Sequence, residues 1–327
     1  KLAAATGEPR LLRAARHALG FVECYSANYR ETIRLVDEAL ADFSENDATK
    51  FSEALEDERE NTKRFQFSSA LALTDMGRTA HWMSGRPQRA LELERRADAL
   101  AKALAHAPST AFWETSRTWF LPLGGDALEV RNVARQVMSL SEKQGYDLWP
   151  RLVSVFDGWA QIELGALDDG LQTMMDSLTA YRSIGGGILR TQAFALLADG
   201  MLKAQRTEAA MATLDEAIVN AHETGELHFE PELHRVKGHA LLQQIEQGGP
   251  GSMERVRACF QHALELARQQ GAVWLELRAA LSLARISQSR GEQALALQAL
   301  SHACDRVEGG SDTREMRDAT ALLSKTP

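Results

Sequence analysis

The chain has 327 residues, of which 44% are hydrophobic, and a formal net charge of −8. This charge gives no electrostatic basis for binding nucleic acid or an anionic membrane surface, and no apolar run approaches the roughly 20 residues that a membrane-spanning helix needs. The three cysteines, Cys24, Cys259 and Cys304, are odd in number and far apart, so we expect free thiols in a reducing, cytoplasmic compartment.

Residues 1–43 are predicted to form a first helix pair, over 9–27 and 29–43. The chain opens in helix-like sequence without an initiator methionine, so we expect a fragment of a longer protein. An acidic insertion at 44–66 follows, with the sequence EALEDERE at residues 53–60. It is interpreted either as a solvated loop or short exposed helix, or as an acidic lid or docking segment over the helices.

Residues 67–308 are predicted to hold six further helix pairs, and residues 309–327 a polar capping helix near 312–324. Glycine supplies the left-handed conformation that closes a helix at low cost. One series of such glycines recurs every 40 residues between pairs, and a second series marks the turns within pairs. The two series are Gly145, Gly185 and Gly225, and then Gly85, Gly125, Gly165 and Gln205. The predicted pairs are 67–84 with 87–105, 109–123 with 126–144, 147–164 with 167–184, 187–204 with 207–224, 229–247 with 252–270, and 273–290 with 292–307.

The side chains follow the same period. In the second helix of each pair, the positions at offsets 0, 4, 7, 8 and 11 form one helical stripe. A step of 40 carries Ala90 to Val130, Gly170 and Ala210, and one step of 46 then leads to Val256. The pattern predicts an all-α, TPR-like α-solenoid, a right-handed superhelix of about seven helix pairs.

The sequence contains no recognisable catalytic motif. The run Gly185-Gly186-Gly187 lacks the Lys-Ser/Thr of a phosphate-binding loop and lies at an expected helix end. Four histidines cluster, but their spacing closes no metal site, so we expect neither a metal nor a cofactor. These histidines are His222, His228, His234 and His239. Trp113 and Trp159 fall in or beside inward columns and are interpreted as core residues; Trp82, Trp119, Trp149 and Trp274 have no clear place.

The first helix of each pair is expected to line the concave inner face of the superhelix. Polar residues beside its buried columns are the candidate binding site: Arg78, Glu114, Arg117, Arg151 and Asp157. Arg117 and Asp157 occupy the same register one repeat apart. They form either an inter-repeat ion pair on a solvated face or part of a recognition surface for a peptide or small anion, because arginine suits carboxylate and phosphate.

Local sequences in the C-terminal half resemble a bacterial family. They are residues 230–242 (EPELHRVKGHALL), 258–272 (ACFQHALELARQQGA), 275–285 (LELRAALSLAR) and the tail at 309–323. The first is similar to the pattern E-x-E-L-x-R-L-K-G-E-x-L-L. The family is the TPR-like C-terminal region of predicted signal-transduction (STAND-type) ATPases, which are joined to adenylate/guanylate cyclase or to winged-helix or LuxR-type DNA-binding domains. The resemblance covers about 145–325 and is fainter before that; the 44–66 insertion departs from it.

The resemblance implies a sensor, autoinhibitory or docking module and transfers no catalytic residue to this chain. Two functions remain open at this point. In the first, the concave face of a non-catalytic regulatory module binds a protein, a peptide or other domains of the same polypeptide. In the second, a small-molecule inducer binds inside the superhelix and controls a linked ATPase. An open groove would favour the first function, and an enclosed pocket with converging arginine and tryptophan the second.

Overall fold

A computed structural model describes residues 9–43, 48–287 and 290–324. Within these ranges every regular element is helical, with sixteen α-helices and one 3-10 turn at Ala41–Phe43. The α-helices are α1 (Pro9–Tyr25), α2 (Tyr29–Leu40), α3 (Ala48–Phe65), α4 (Ser69–Met83), α5 (Pro87–Leu104), α6 (Ala107–Gly124), α7 (Ala127–Gln144), α8 (Leu148–Glu163), α9 (Leu167–Ser183), α10 (Arg190–Lys203), α11 (Thr207–Thr224), α12 (Glu230–Glu246), α13 (Met253–Gln270), α14 (Val273–Ile286), α15 (Arg290–Asp305) and α16 (Arg314–Leu323).

The helices pack in consecutive pairs, which is the arrangement of an α-solenoid. Apart from α3 and α16 they form seven pairs, as the sequence predicts. All six glycines of the two predicted series have positive φ, and Gln205 has φ 58° in the place of a glycine. The predicted helix ends are therefore confirmed, and Gln205 shows that the packing imposes the left-handed turn even without glycine.

The two helices of a pair lie in different layers. In α4, every residue except Thr79 is buried. In α7 the buried residues are confined mainly to one stripe, which includes Val130, Ala134, Val137 and Ser141. The first helices therefore form an inner layer that is covered on several sides, whereas the second helices face solvent with one side.

The array turns back on itself, so its late pairs contact its early pairs. Helix α14 packs against α4, and the rings of Trp82 and Trp274 lie 5.1 Å apart. The amide of Glu308 donates to the carbonyl oxygen of Gly85 at 2.7 Å, and the amide of His228 donates to that of Tyr25 at 3.0 Å. These contacts place the sixth and seventh pairs against the first and second.

This closure fills most of the interior. The exposed area is 14979 Å², close to the ~13,400 Å² expected of a compact globular protein of this mass. A cavity among α1, α4, α6 and α10 measures about 10 Å³, which is space for one water at most. The expected continuous concave groove is therefore largely occupied by the side chains of the inner helices.

The acidic insertion is a helix of 18 residues, α3, and is part of the packed array. Its Glu58 is fully buried. The Glu58 carboxylate pairs with Arg13 at 2.9 Å and accepts hydrogen bonds from the Ser68 hydroxyl and the Ala70 amide at the start of α4. The interpretation of this segment as a short exposed helix is right in that α3 is a helix with many exposed residues. It is wrong in that the helix is long and one of its acids caps a neighbouring helix. The alternative of a lid or docking segment stays a prediction. Residues 44–47 of the insertion lie outside the described ranges.

Candidate functional site

Arg78, the first candidate residue, lies in the core. Its side chain is fully buried, with Nη2 2.9 Å from Asp75 Oδ1 and 2.7 Å from Ser116 Oγ. Its guanidinium also lies over the rings of Trp113 and Phe120, at 4.3 and 4.4 Å from their centroids. The expectation that Arg78 belongs to an accessible recognition surface is wrong, because its side chain is fully buried among these residues inside the array.

Arg117 is the centre of an ion-pair cluster between two successive pairs. Its guanidinium contacts Glu94 at 3.2 Å, Glu114 at 3.2 Å and Glu129 at 3.0 Å. Burial alone lowers the pKa of Arg117, but the carboxylates of Glu114 and Glu94 outweigh it and raise the pKa above its ordinary value. Glu94 also lies 3.7 Å from Arg78. Arg78, Glu114 and Arg117 are thus brought together, as a structural network.

Asp157 and Arg151 lie apart from that network. Asp157 pairs with Arg131 at 3.4 Å and accepts a hydrogen bond from Gln161 at 2.7 Å. Arg151 pairs with Asp147, one turn earlier on the chain, at 2.9 Å. The described ion pairs include none between Arg117 and Asp157. The expected ion pair between Arg117 and Asp157 is therefore not formed; Arg117 pairs instead with Glu94, and Asp157 with Arg131, each in a neighbouring helix pair.

A polar cleft opens into the interior of the array. It lies between α16 and the C-terminal ends of α6, α8 and α10, and it extends between α12, α14 and α16. Its two parts have volumes of about 280 and 180 Å³ and share Asp199, Lys203, Arg278, Arg314 and Glu315. Six basic and six acidic side chains line the two parts, so the cleft has no net charge. They are Lys203, Arg235, Arg278, Arg285, Arg314 and Arg317, with Glu163, Asp199, Glu232, Asp312, Glu315 and Asp318.

The inner wall of the cleft is a paired arginine–glutamate cluster. Glu232 lies 2.6 Å from Arg235 and 2.9 Å from Arg278, and Arg278 also reaches Glu315 of α16 at 3.1 Å. Burial alone raises the pKa of Glu232, but Arg235 and Arg278 lower it to about 2. This wall therefore stays charged across the physiological pH range.

The rim carries looser ion pairs and one arginine without a described partner. Arg285 pairs with Asp318 at 2.7 Å, and Lys203 pairs with Asp199 at 3.1 Å and also with Glu163. Of the carboxylates in the described ranges, none is recorded within ion-pair distance of Arg314, which lines both parts of the cleft. Arg314 is therefore a cation that is available to a ligand.

Sequence reasoning did not single out the cleft, although the spacing of two of its charged residues indicated that they could pair. Glu232 and Arg278 are 46 residues apart, which is the period of the stripe across the 247–251 turn. Arg117 and Asp157 are likewise one period apart, but of these two sets only Glu232 and Arg278 form an ion pair with each other. Glu232 and Arg278 belong to the sixth and seventh helix pairs, whereas the candidate residues were chosen from the second to fourth pairs.

Two of the clustered histidines lie beside the carboxylate of Glu230. His222 Nε2 lies 2.8 Å and His234 Nε2 3.9 Å from Glu230 Oε1. The described ranges nevertheless hold no group of three or more His, Cys, Asp or Glu side chains arranged to bind a metal ion. Likewise, no helix in the described part of the chain is long and apolar enough to cross a membrane.

Glu226 and His228 form a buried pair with opposed pH behaviour. Burial raises the pKa of Glu226 to about 6 and lowers that of His228 to about 3, and their side-chain atoms lie 3.8 Å apart. Below pH 6.5 His228 is protonated in the unfolded state but stays neutral in the folded state, so it lowers the free energy of unfolding as pH falls. Between about pH 7 and 4.5 Glu226 is protonated to a greater extent in the folded state than in the unfolded state, so it raises the free energy of unfolding as pH falls.

Comparison with known proteins gives one distant relative. No family model matches the chain. It is similar to an uncharacterized protein of Rhizobium meliloti (strain 1021), with 24% identity over 280 residues. The match covers 84% of this chain but 26% of the relative, so the chain spans about a quarter of the length of the protein that it resembles.

Proposed function

We propose that this chain is a non-catalytic regulatory module of a larger signalling protein. It is a TPR-like, right-handed superhelix, and its polar cleft binds a charged segment of a partner protein or of another domain of the same polypeptide. The cleft is the observation that carries the proposal, because it opens into an interior whose cavity among α1, α4, α6 and α10 is nearly filled. The length of the Rhizobium relative, of which only a quarter is matched, supports a module joined to other segments.

The chemistry of the cleft favours a protein segment over an apolar ligand. Small-molecule pockets are mostly apolar with a few polar groups, whereas arginine and carboxylate side chains dominate this lining. Side chains of both signs can pair with a partner segment that carries both signs, and such pairs give orientation and specificity more than affinity.

The contact between Ser282 and His239 in the cleft does not support catalysis. The two side chains lie 3.1 Å apart, but Ser282 donates its own proton to the carbonyl oxygen of Arg278. Burial lowers the pKa of His239 to about 3, so the imidazole is a poor base at neutral pH. Both residues are therefore interpreted as structural.

Site-specific cross-linking in cells of the source organism tests the proposal. A photo-reactive amino acid replaces Lys203 at the cleft rim in one full-length variant and exposed Val219 on α11 in a matched control. We expect a discrete adduct with one protein, or with another segment of the same polypeptide, from position 203 only. Equal adducts from both positions, or none from position 203, would contradict binding in the cleft.

A small-molecule sensor is the second candidate, favoured by the part of the cleft between α12, α14 and α16. Its volume of about 180 Å³ and its four arginines suit a compact anion. Native mass spectrometry of the chain purified from its own host tests this function. A retained molecule that Arg314→Ala releases would support the sensor and count against a protein ligand; a bare chain would exclude a tightly held effector.

A further inference from the structure

Helix α16 lies across the cleft, and Ala319 is the one fully buried residue in the described part of the helix. Three further apolar side chains are partly buried against the core: Met316, Leu322 and Leu323. Two ion pairs with α14 also hold the helix, Glu315 with Arg278 at 3.1 Å and Asp318 with Arg285 at 2.7 Å. Both pairs are partly exposed, so each contributes little stability.

The segment before α16 can act as a hinge. Gly309 and Gly310 both have positive φ, 84° and 68°, immediately after the contact between Glu308 and Gly85. Such glycines absorb backbone rotation at low cost. A rotation here moves α16 without disturbing the closure contact that precedes it.

The two carboxylates of α16 match the two arginines of α14. Arg278 and Arg285 are seven residues, or about two turns, apart on one face of α14, and Glu315 and Asp318 are three residues apart on one face of α16. An acidic helical segment with the same carboxylate spacing can make the same two ion pairs. Arg314, which has no ion pair with a carboxylate of the described ranges, adds a third cation at this place.

We propose that α16 is an internal competitor for an acidic helical segment of a partner protein. The partner's two carboxylates replace Glu315 and Asp318 on Arg278 and Arg285, and α16 swings away about Gly309 and Gly310. This inference rests on the proposed function, because it names the partner chemistry and the regulation of the same cleft. Partner binding then depends on how firmly α16 holds its own ion pairs.

The test uses the whole chain and a defined probe. The probe is a fluorescein-labelled peptide with the sequence of residues 312–324, compared with the same peptide carrying Gln and Asn in place of its carboxylates at 315 and 318. The variant E315Q/D318N loosens α16 without touching the arginines. The control D168N/E216Q makes the same change in net charge and breaks two inter-helix ion pairs with arginines outside the cleft, Arg206–Asp168 and Arg182–Glu216.

We expect E315Q/D318N to bind the acidic probe about tenfold more tightly than the wild type, because two competing ion pairs are removed. The control variant keeps wild-type affinity, and the probe with Gln and Asn at 315 and 318 binds neither protein. Adding Arg285→Gln to E315Q/D318N abolishes the gain. In the wild type, saturating probe increases amide hydrogen exchange in α16 and leaves α15 unchanged.

Failure of the competition by α16 can be distinguished from failure of the binding site. Binding that depends on Arg285 but is equally tight in the wild type and E315Q/D318N overturns competition by α16 and leaves the cleft as a binding site. Absence of binding to every variant, or equal gains in E315Q/D318N and D168N/E216Q, overturns the acidic-segment site itself. Unchanged exchange in α16 on binding also overturns the competition.

Discussion

The contact between Trp82 and Trp274 gives a quantitative test of the closed array. The two residues are far apart in sequence, and their ring centroids lie 5.1 Å apart in the fold. Both are buried, and neither indole nitrogen has a hydrogen-bond partner among the described residues. We expect Trp82→Leu and Trp274→Leu each to lower the free energy of unfolding by about 2 kcal/mol, because lost packing is partly offset by removal of an unsatisfied donor.

The double variant separates closure from ordinary core packing. In a closed array the aromatic pair contributes a coupling free energy of about 0.5–1.5 kcal/mol, so the double variant loses less stability than the two single variants together. Urea unfolding followed by far-UV circular dichroism measures all four proteins. Trp113 with Trp274 is the matched control, since no ring contact between them is described, and this pair should be additive. Additivity of Trp82 and Trp274 within about 0.3 kcal/mol would refute the closure.

Three further predictions use thermal or urea unfolding. Arg78→Ala should lower the free energy of unfolding by about 3–5 kcal/mol, because buried acids lose their counter-ion, whereas Arg151→Ala should cost under about 1 kcal/mol; similar losses would contradict this account of Arg78. Gly170→Ala should cost at least about 1–3 kcal/mol, since an added Cβ would lie 2.5 Å from a backbone oxygen of α8; an unchanged melting temperature would contradict the close crossing of α8 and α9. Glu226→Gln should lose about 1 kcal/mol more stability than the wild type between pH 7 and pH 5, because the opposing effect of His228 then acts alone; parallel pH profiles would contradict the raised pKa of Glu226.

Local features of the fold could be predicted from the sequence because they repeat. Glycine at a helix end and a small-residue stripe each report a contact within a pair or between adjacent pairs. The 40-residue period therefore located the turns at Gly125, Gly165 and Gly225 and the buried stripe through Val130. Helix α3 was harder to predict, since its exposed acids hide the one buried acid, Glu58, that joins it to α1 and α4.

The closure could not be predicted because periodicity does not report superhelical pitch. Small rotations between successive pairs accumulate along the array, and no single residue encodes their sum. Trp82 and Trp274 had no clear place in the stripes because they pack against each other across the closure instead of within a pair. Arg78 was misplaced for a different reason, because its register suggested an accessible inner face, whereas Trp113, Ser116 and Phe120 of the adjacent pair enclose its guanidinium.

The sequence indicated that the candidate residues form ion pairs, but it predicted neither their partners nor the cleft. Inter-repeat ion pairs were expected for Arg117 and Asp157, and each residue pairs with a neighbouring repeat through a different partner. The cleft depends on where α16 crosses the inner helices, which is a long-range contact. Its arginines Arg278 and Arg285 therefore gained significance only once α16 was placed.

Amide hydrogen exchange at single-residue resolution tests the closed array most directly. The amides of Glu308 and His228 donate to Gly85 and Tyr25, which belong to distant repeats, and no other acceptor is recorded for either. In the closed array both amides should exchange as slowly as amides within the adjoining helices. Exchange of both at the rate of an unstructured loop would show that the array is open and that the cleft is not its remaining binding surface.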